Sequence, residues 1–243
     1  MMQENRILLV GGCGAGKTTL LDALIGRKIL SNKCTSEITC VYNEEAYNEP
    51  PTIYNCNNYI GVKFCTNLSK KSICFVDTPW GSKQDDIPIL EQIILTNNIT
   101  TILFVVRASH PNFLEDYKAL AKVTERIKII FCLTRCDDFD PETDDVVGLI
   151  DYLKKDIKLQ LSEVGIDNPT IVIVSPLRAL TIKREYGGDC SIQRYKIAKW
   201  HDEELLFHLD RYCDNVIVDN DDELLKHTGI LNLETLIYED RKN

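Results

Sequence analysis

The sequence lacks any dense cluster of basic residues and any long apolar run. It has 28 Lys and Arg against 37 Asp and Glu, a net charge of −9. With no basic track for a phosphate backbone, we expect no nucleic-acid partner. The apolar runs are far shorter than the roughly 20 residues of a transmembrane helix. The residues before the first glycines, MMQENRILLV, do not hold the regions of a secretory signal, so we expect a cytoplasmic protein.

The sequence also lacks the spacings of disulfide-rich and metal-binding proteins. Its ten cysteines include no CxxC pair, and Cys74 and Cys132 lie inside apolar runs. None of the four histidines has a metal-ligand spacing with a pair of cysteines. We therefore expect reduced, mostly buried thiols and no metal ion held by protein ligands alone.

The sequence does contain an alternation of strand-length apolar runs and amphipathic helical segments. The predicted strands are 6–10, 73–76, 102–106, 127–133 and 171–174, and the predicted helices are 17–25, 87–95, 113–124 and 144–164. This order predicts an α/β fold with a mostly parallel central sheet and helices on both faces. Two further runs, 39–47 and 59–65, are expected to pair as a hairpin. A length of 243 residues suits a single domain, with helical elaborations over 178–243.

The segment 11–18, GGCGAGKT, has the pattern GxxxxGK[ST] directly after a strand and at the start of a helix. Its glycines allow backbone amides to turn towards a phosphate, and the helix N-terminus adds its positive dipole end. We expect Lys17 to reach the β- and γ-phosphates and the Thr18 hydroxyl to bind Mg²⁺. The predicted nucleotide-binding residues of this motif are Gly12, Cys13, Gly14, Ala15, Gly16, Lys17, Thr18 and Thr19.

Two later motifs supply a metal carboxylate and a base-recognition group. Asp77 ends an apolar strand in SICFVDTPWG, where it is expected to hold Mg²⁺ through its water shell. Thr134, Arg135 and Asp137 form TRCD, a version of the [NT]KxD guanine motif. The Asp137 carboxylate can accept hydrogen bonds from the guanine ring N–H and the exocyclic amine, whereas adenine presents no such pair of donors. The planar guanidinium of Arg135 can lie over the base.

The order GGCGAGKT, DTP, TRCD and VSP resembles the P-loop GTPase superfamily over roughly residues 5–177. The stretches GGCGAGKTTLLDALIGRKIL, CTSEIT and ILFVVRASHPNFLEDYKAL are most similar to dynamin-like GTPase domains, with Era-like, septin and GIMAP-type domains close behind. The resemblance implies a three-layer P-loop GTPase domain with Mg²⁺ and GTP or GDP as cofactors. It also implies catalysis by Lys17, a homodimer across the nucleotide face, and an effector protein that the sequence does not identify.

The resemblance further implies a loop threonine that closes over Mg²⁺ and the γ-phosphate, and Thr35 and Thr39 compete for this role. Thr39 matches the Era-like spacing from Lys17, whereas Thr35 matches the paired pattern of dynamin-like domains, and we favour Thr35 slightly. The resemblance also places Ser175 in the loop that meets the guanine oxygen.

Three departures from the family pattern concern catalysis and affinity. Trp80 stands where the family has glycine, Gly14 where dynamin-like domains have a polar side chain, and Pro176 where an amide would meet guanine. Gln84 is the nearest side chain able to orient a water molecule. These departures predict slow intrinsic turnover.

Three functions are consistent with these motifs and departures. The first is a GTPase whose hydrolysis resets a switch built on the 31–49 and 78–86 loops. The second is a nucleotide-loaded scaffold with negligible hydrolysis. The third is the GTPase part of a dynamin-like membrane-remodelling protein.

Overall fold

The computed structural model describes residues 4–29, 37–79, 87–109, 114–122, 127–136, 145–186, 225–226 and 228–238. The strands in these ranges are β1 (Asn5–Val10), β2 (Thr39–Asn43), β3 (Asn58–Val62), β4 (Ile73–Asp77), β5 (Thr101–Arg107), β6 (Lys128–Thr134) and β7 (Thr170–Ile173). The helices are α1 (Lys17–Ile25), α2 (Ile87–Thr96), α3 (Leu114–Ala121), α4 (Val146–Glu163), α5 (Pro176–Tyr186) and α6 (Ile230–Tyr238), with a 3₁₀ helix at Asn67–Lys70.

The strands form one sheet in the order β3-β2-β4-β1-β5-β6-β7. β1 lies at its centre and pairs in parallel with β4 and β5, and the parallel pairing continues through β6 to β7. Only the β2–β4 pair among these described strands is antiparallel. The predicted α/β fold with a mostly parallel sheet is therefore confirmed.

Helices cover both faces of the sheet. Apolar residues of α2, α3 and α4 pack on one face, and those of α1, α5 and α6 pack on the other. Burial on both faces explains why β1 is a continuous apolar run, since Ile7, Leu8, Leu9 and Val10 are fully buried. Helix α1 has the predicted bounds, and the other predicted helices and strands differ from the observed ones at their ends.

The predicted hairpin of the two edge strands is wrong. β3 lies beside β2 but runs parallel to it. Parallel strands need a crossover of about a dozen residues or more, and the segment 44–57 supplies it. The Arg6 guanidinium donates to the carbonyl oxygens of Thr52 (3.0 Å) and Asn97 (3.1 Å), so contacts with distant parts of the chain anchor this crossover.

The C-terminal end of α1 is held by contacts from beyond the helix. The last four carbonyl groups of a helix have no partner within it. In α1 each of them accepts a hydrogen bond, Asp22 O from the Gly26 amide, Ala23 O from Lys183 Nζ, Leu24 O from Thr66 Oγ1, and Ile25 O from the Cys65 amide, at 2.8–2.9 Å. The helix that begins at the predicted phosphate loop is thereby fixed at its far end.

One of these contacts belongs to a buried ion pair between α5 and α6. Lys183 Nζ lies 2.5 Å from Glu234 Oε1, and their side chains are 8% and 1% exposed. Glu234 also accepts a hydrogen bond from Asn67 Nδ2 at 2.9 Å. Burial lowers the pKa of Lys183, and the charge of Glu234 opposes that change. The pair therefore ties α5, α6 and the 3₁₀ helix to the end of α1.

We expect Glu234→Gln to lower the free energy of unfolding by about 3 kcal/mol, because Lys183 then loses its buried counter-charge. Urea unfolding followed by circular dichroism measures this loss. The matched control is Glu45→Gln, which breaks the exposed pair between Glu45 and Lys63, whose side chains are 46% and 56% exposed. Because exposed pairs are screened by water, the control should not change stability measurably. Equal effects of the two substitutions would contradict a stabilising role for the buried pair.

Candidate functional site

The described site residues lie at the carboxyl ends of four strands. The loop 11–16 follows β1, Asp77 ends β4, Thr134 ends β6, and Ser175 follows β7. In open α/β sheets, ligands bind in the crevice at this edge, where the chain switches from one side of the sheet to the other. The fold thus collects motifs that are far apart in the sequence.

Two backbone constraints shape the loop after β1. Gly11 has φ 146°, and a Cβ atom there would lie 2.2 Å from the carbonyl oxygen of Val105 in β5. Gly16 has φ 95° and is the residue before the first turn of α1; as a glycine, it has no side chain that could cap the helix. An anion in the loop would lie at the positive end of the helix dipole.

The Lys17 ammonium lies against the inside of this loop. Its Nζ donates to the carbonyl oxygens of Gly11 (2.7 Å) and Gly12 (3.1 Å), and the residue is 9% exposed. Cys13 and Gly14 form the exposed tip of the loop, whereas Ala15 is buried. A cation enclosed by a loop of backbone amides fits a bound phosphate.

Two oxygen-bearing side chains meet beside the start of α1. The Thr18 hydroxyl lies 3.3 Å from Oδ2 of Asp77, which is fully buried at the end of β4. Hydroxyl and carboxylate oxygens are the ligands that Mg²⁺ prefers, and this ion usually completes its shell with water and phosphate oxygens. The residues present therefore fit the predicted metal. In the described ranges, no group of three or more His, Cys, Asp or Glu side chains could hold a metal ion.

Thr134 joins the predicted base motif to the predicted phosphate loop. Its side chain is fully buried, and Oγ1 lies 2.6 Å from the carbonyl oxygen of Ala15 and 3.3 Å from that of Val106. The residue thus contacts the loop that precedes α1. Arg135 follows it as an exposed residue in the left-handed region, with φ 58°.

The structure of the loop after β7 shows why a proline fits at position 176. Proline is the first residue of α5, where its missing amide costs nothing because that amide would have no partner in the helix. The amide of Ser175 donates to the carbonyl oxygen of Thr228 at 2.9 Å. The amides of the two neighbours, Ser175 and Leu177, are the ones that could replace the missing amide of Pro176. That of Ser175 is engaged, and Leu177 lies in the first turn of α5.

Some predicted residues lie in elements next to the loop, and others lie outside the described residues. Thr39 is the first residue of β2, 4% exposed, and opposite Asp77 in the strand register. Its hydroxyl lies 3.5 Å from the carbonyl oxygen of Glu37, and Thr19 is half-buried in the first turn of α1. Four residues lie outside the described ranges, namely Thr35, Trp80, Gln84 and Asp137.

Sequence reasoning missed Thr78 as a structural part of the site. Its hydroxyl donates to the carbonyl oxygen of Leu9 at 3.0 Å, and the residue is 2% exposed. This bond ties the end of β4 to the end of β1 and so sets Asp77 beside the loop. Its position in DTP, directly after the carboxylate predicted to hold the metal, is the available sequence signal.

Comparison with solved structures identifies the fold. Two chains of an oligomerised bacterial dynamin pair, described with a mechanism for long-range sensing and tethering of membranes, match this chain with TM-scores of 0.53 and 0.51. The sequence identities are 18% and 20%, and each match covers 97% of this chain. The chain shares its fold with part of a bacterial dynamin.

The predicted resemblance to dynamin-like domains is confirmed at the level of the fold. The chain spans 41% of the length of each bacterial dynamin chain that it matches. No family model matches the sequence, and no curated protein matches it significantly. None of the helices in the described part of the chain has the length and hydropathy of a membrane span.

We expect Gly11→Ala to lower the free energy of unfolding by about 3 kcal/mol, because the new methyl group would collide with β5 and the backbone there is strained for alanine. The matched control is Gly14→Ala. Gly14 also has a positive φ of 74°, but a Cβ atom there meets nothing within 4 Å. In the control, the free energy of unfolding should fall by only about 1 kcal/mol. Urea unfolding of both variants compares them, and a similar loss in each would show that the approach to β5 does not constrain the loop.

Proposed function

We propose that this chain is a Mg²⁺-dependent GTPase that binds GTP, hydrolyses it to GDP and phosphate, and changes conformation between the two nucleotide states. The observation that carries the proposal is the Lys17 ammonium, which contacts the loop directly before α1. The Thr18–Asp77 oxygen pair lies at the same helix start. These are the groups that phosphoryl transfer requires, since it depends mainly on positioning and charge stabilisation.

Each group has a distinct part in binding. The loop amides and Lys17 would hold the β- and γ-phosphates, and Lys17 would offset negative charge as the γ-phosphoryl group departs. Thr18 would bind Mg²⁺ directly, and Asp77 would hold it through water. The metal would supply charge neutralisation to the phosphates. Thr134 would keep Ala15, and hence the loop, in register with the base motif.

Base recognition would come from the ends of β6 and β7. In this proposal the Asp137 carboxylate accepts from two guanine donors, and the Arg135 guanidinium lies over the ring. The amide of Leu177 would meet the guanine oxygen, because that of Ser175 is bonded to Thr228. Ser175 stays a predicted binding residue of this loop.

The switch threonine in this proposal is Thr35 rather than Thr39. A switch residue must bring its hydroxyl and carbonyl to the metal in one nucleotide state and withdraw them in the other. Thr39 is a buried residue of the β2–β4 ladder, directly opposite Asp77. Its place in the ladder favours a structural role, which leaves Thr35 for the switch.

We further propose that the whole chain forms one GTPase domain, with 178–243 as helical elaborations, and that two copies meet across the nucleotide. The packing of α5 and α6 on the face that holds α1 supports the first statement. The second is supported by Gly14, which offers no side chain at the exposed loop tip and has open space above it. A second copy could supply the missing charge there.

Gly14 also favours a second candidate function, a GTP- or GDP-loaded scaffold with negligible hydrolysis. The description of the bacterial dynamin pair suggests a third, a part of a membrane-tethering or membrane-remodelling protein. Single-turnover hydrolysis with protein in excess over GTP separates the first two. Vesicle sedimentation with and without GTP tests the third.

Base selectivity tests the guanine assignment. We expect Asp137→Asn to weaken GTP binding at least about tenfold, since an amide donor would face a guanine donor and each buried mismatch costs about 1 to 3 kcal/mol. The variant should instead prefer xanthosine triphosphate, whose carbonyl replaces the exocyclic amine. Calorimetric titration with both nucleotides and ATP measures this order.

Lys17→Ala is the matched control for that experiment. This variant should lose affinity for both GTP and xanthosine triphosphate, because the substitution removes charge from the phosphate site rather than from the base site. Its circular dichroism spectrum should match that of the wild type. Equal wild-type affinity for ATP and GTP would refute guanine recognition, and unchanged affinity of Lys17→Ala would refute the phosphate site.

The dimer makes a separate prediction. The rate of GTP hydrolysis per molecule should rise with protein concentration, because each copy would complete the other's site. Light scattering after size-exclusion chromatography should show a dimer with GDP and aluminium fluoride, and a monomer with GDP alone. Lys17→Ala should stay monomeric in both. A monomer in every nucleotide state, with a concentration-independent rate, would exclude the dimer while leaving the GTPase proposal intact.

A further inference from the structure

Two buried thiols meet between the strands that border the site. Cys40 in β2 and Cys74 in β4 are both fully buried, and their Sγ atoms lie 3.0 Å apart. The other thiols of the described core, those of Cys132 and Cys136, lie in or next to β6. The Cys40–Cys74 contact was not predicted from the sequence, because the two residues are distant in it and only the strand pairing brings them together.

The strand register places the two thiols on the same face of the sheet. β2 and β4 are antiparallel, with Cys40 opposite Val76 and Tyr42 opposite Cys74. The cysteines are therefore diagonal neighbours. Their sulfur atoms nevertheless meet across the two strands. A disulfide has a sulfur–sulfur distance of about 2.05 Å, so its formation would require the sulfurs to approach by about 1 Å.

We propose that Cys40 and Cys74 are an oxidation site that forms a reversible intramolecular disulfide with peroxide. One thiolate attacks a peroxide oxygen and becomes a sulfenic acid as hydroxide leaves. The second thiol then attacks that sulfur, forms the S–S bond, and releases water. In total, two thiols lose two electrons and two protons, and one hydrogen peroxide is reduced to two waters.

The surroundings of the two thiols determine how fast they are oxidised, and the distance between them determines the product. The hydrogen bond with Cys40 and burial both raise the pKa of Cys74, so little thiolate is present at neutral pH. The positive charge of Arg6, which is the register partner of Cys74 in β1, opposes this rise. Oxidation should therefore be slow, while the short distance between the thiols favours the disulfide over further oxidation of either sulfur.

The position of the pair gives the disulfide a structural consequence. It would join β2, which begins at the end of the 31–38 segment, to β4, which ends at Asp77. The crosslink would close a loop of the unfolded chain and so stabilise the folded state. We expect the melting temperature of the oxidised protein to rise by roughly 5 to 10 °C. This inference does not depend on the nucleotide bound.

The test is oxidation of the reduced full chain with hydrogen peroxide, followed by alkylation of the remaining thiols under denaturing conditions and peptide mass mapping. Two of the ten cysteines should become protected, and one crosslinked peptide pair should contain Cys40 and Cys74. Dithiothreitol should restore alkylation of both residues and reverse the rise in melting temperature.

Three variants complete the experiment. Cys40→Ala and Cys74→Ala should each abolish the crosslink, whereas Cys132→Ala, at another fully buried cysteine, should retain it. If a variant fails to fold, the wild-type peptide map decides alone. Ten alkylatable thiols after oxidation, sulfinic acid at either residue without a crosslink, or a crosslink to Cys56 instead would overturn the proposal.

Discussion

Helix α1 is fixed at both ends, and the candidate site depends on that constraint. At its start, the chain can pass β5 only because Gly11 has no side chain, and Thr134 holds the carbonyl group of Ala15. At its end, Lys183 and Thr66 bind carbonyl groups that the helix itself leaves without partners. A helix held in this way keeps its positive end directed at the loop without a ligand. This preorganisation reduces the conformational entropy that is lost on binding.

The C-terminal segment takes part in the same constraint. Thr228 accepts the hydrogen bond of the Ser175 amide, and Glu234 supplies the counter-charge of Lys183. Gly229 approaches β7 so closely that a Cβ atom there would lie 1.9 Å from the carbonyl oxygen of Ile173. A segment that contacts both the loop after β7 and the far end of α1 packs with the described core, so its removal would disturb both places.

The sequence predicted the features that depend on local pattern. The bounds of α1, the position of Asp77 at a strand end and the parallel order of the sheet follow from apolar periodicity and from the glycine pattern. The direction of β3 did not follow, because it depends on how a turn-rich segment between β2 and β3 crosses over, and no local pattern indicates that. The engagement of the Ser175 amide by Thr228 was equally inaccessible, since no local pattern indicates a contact between residues so distant in sequence.

The groups proposed for binding and those proposed for turnover differ in how firmly the fold holds them in place. Lys17, Thr18 and Asp77 lie on a helix and a strand whose positions are fixed by packing and by hydrogen bonds, which is the condition for a preorganised site. The exposed tip at Gly14 supplies no side chain to the transition state. In the proposed GTPase, nucleotide binding would therefore be a property of the isolated domain, whereas rapid hydrolysis would require a charge from elsewhere. Such a domain would hold its nucleotide until a partner arrives, and hydrolysis would then be a signal of assembly.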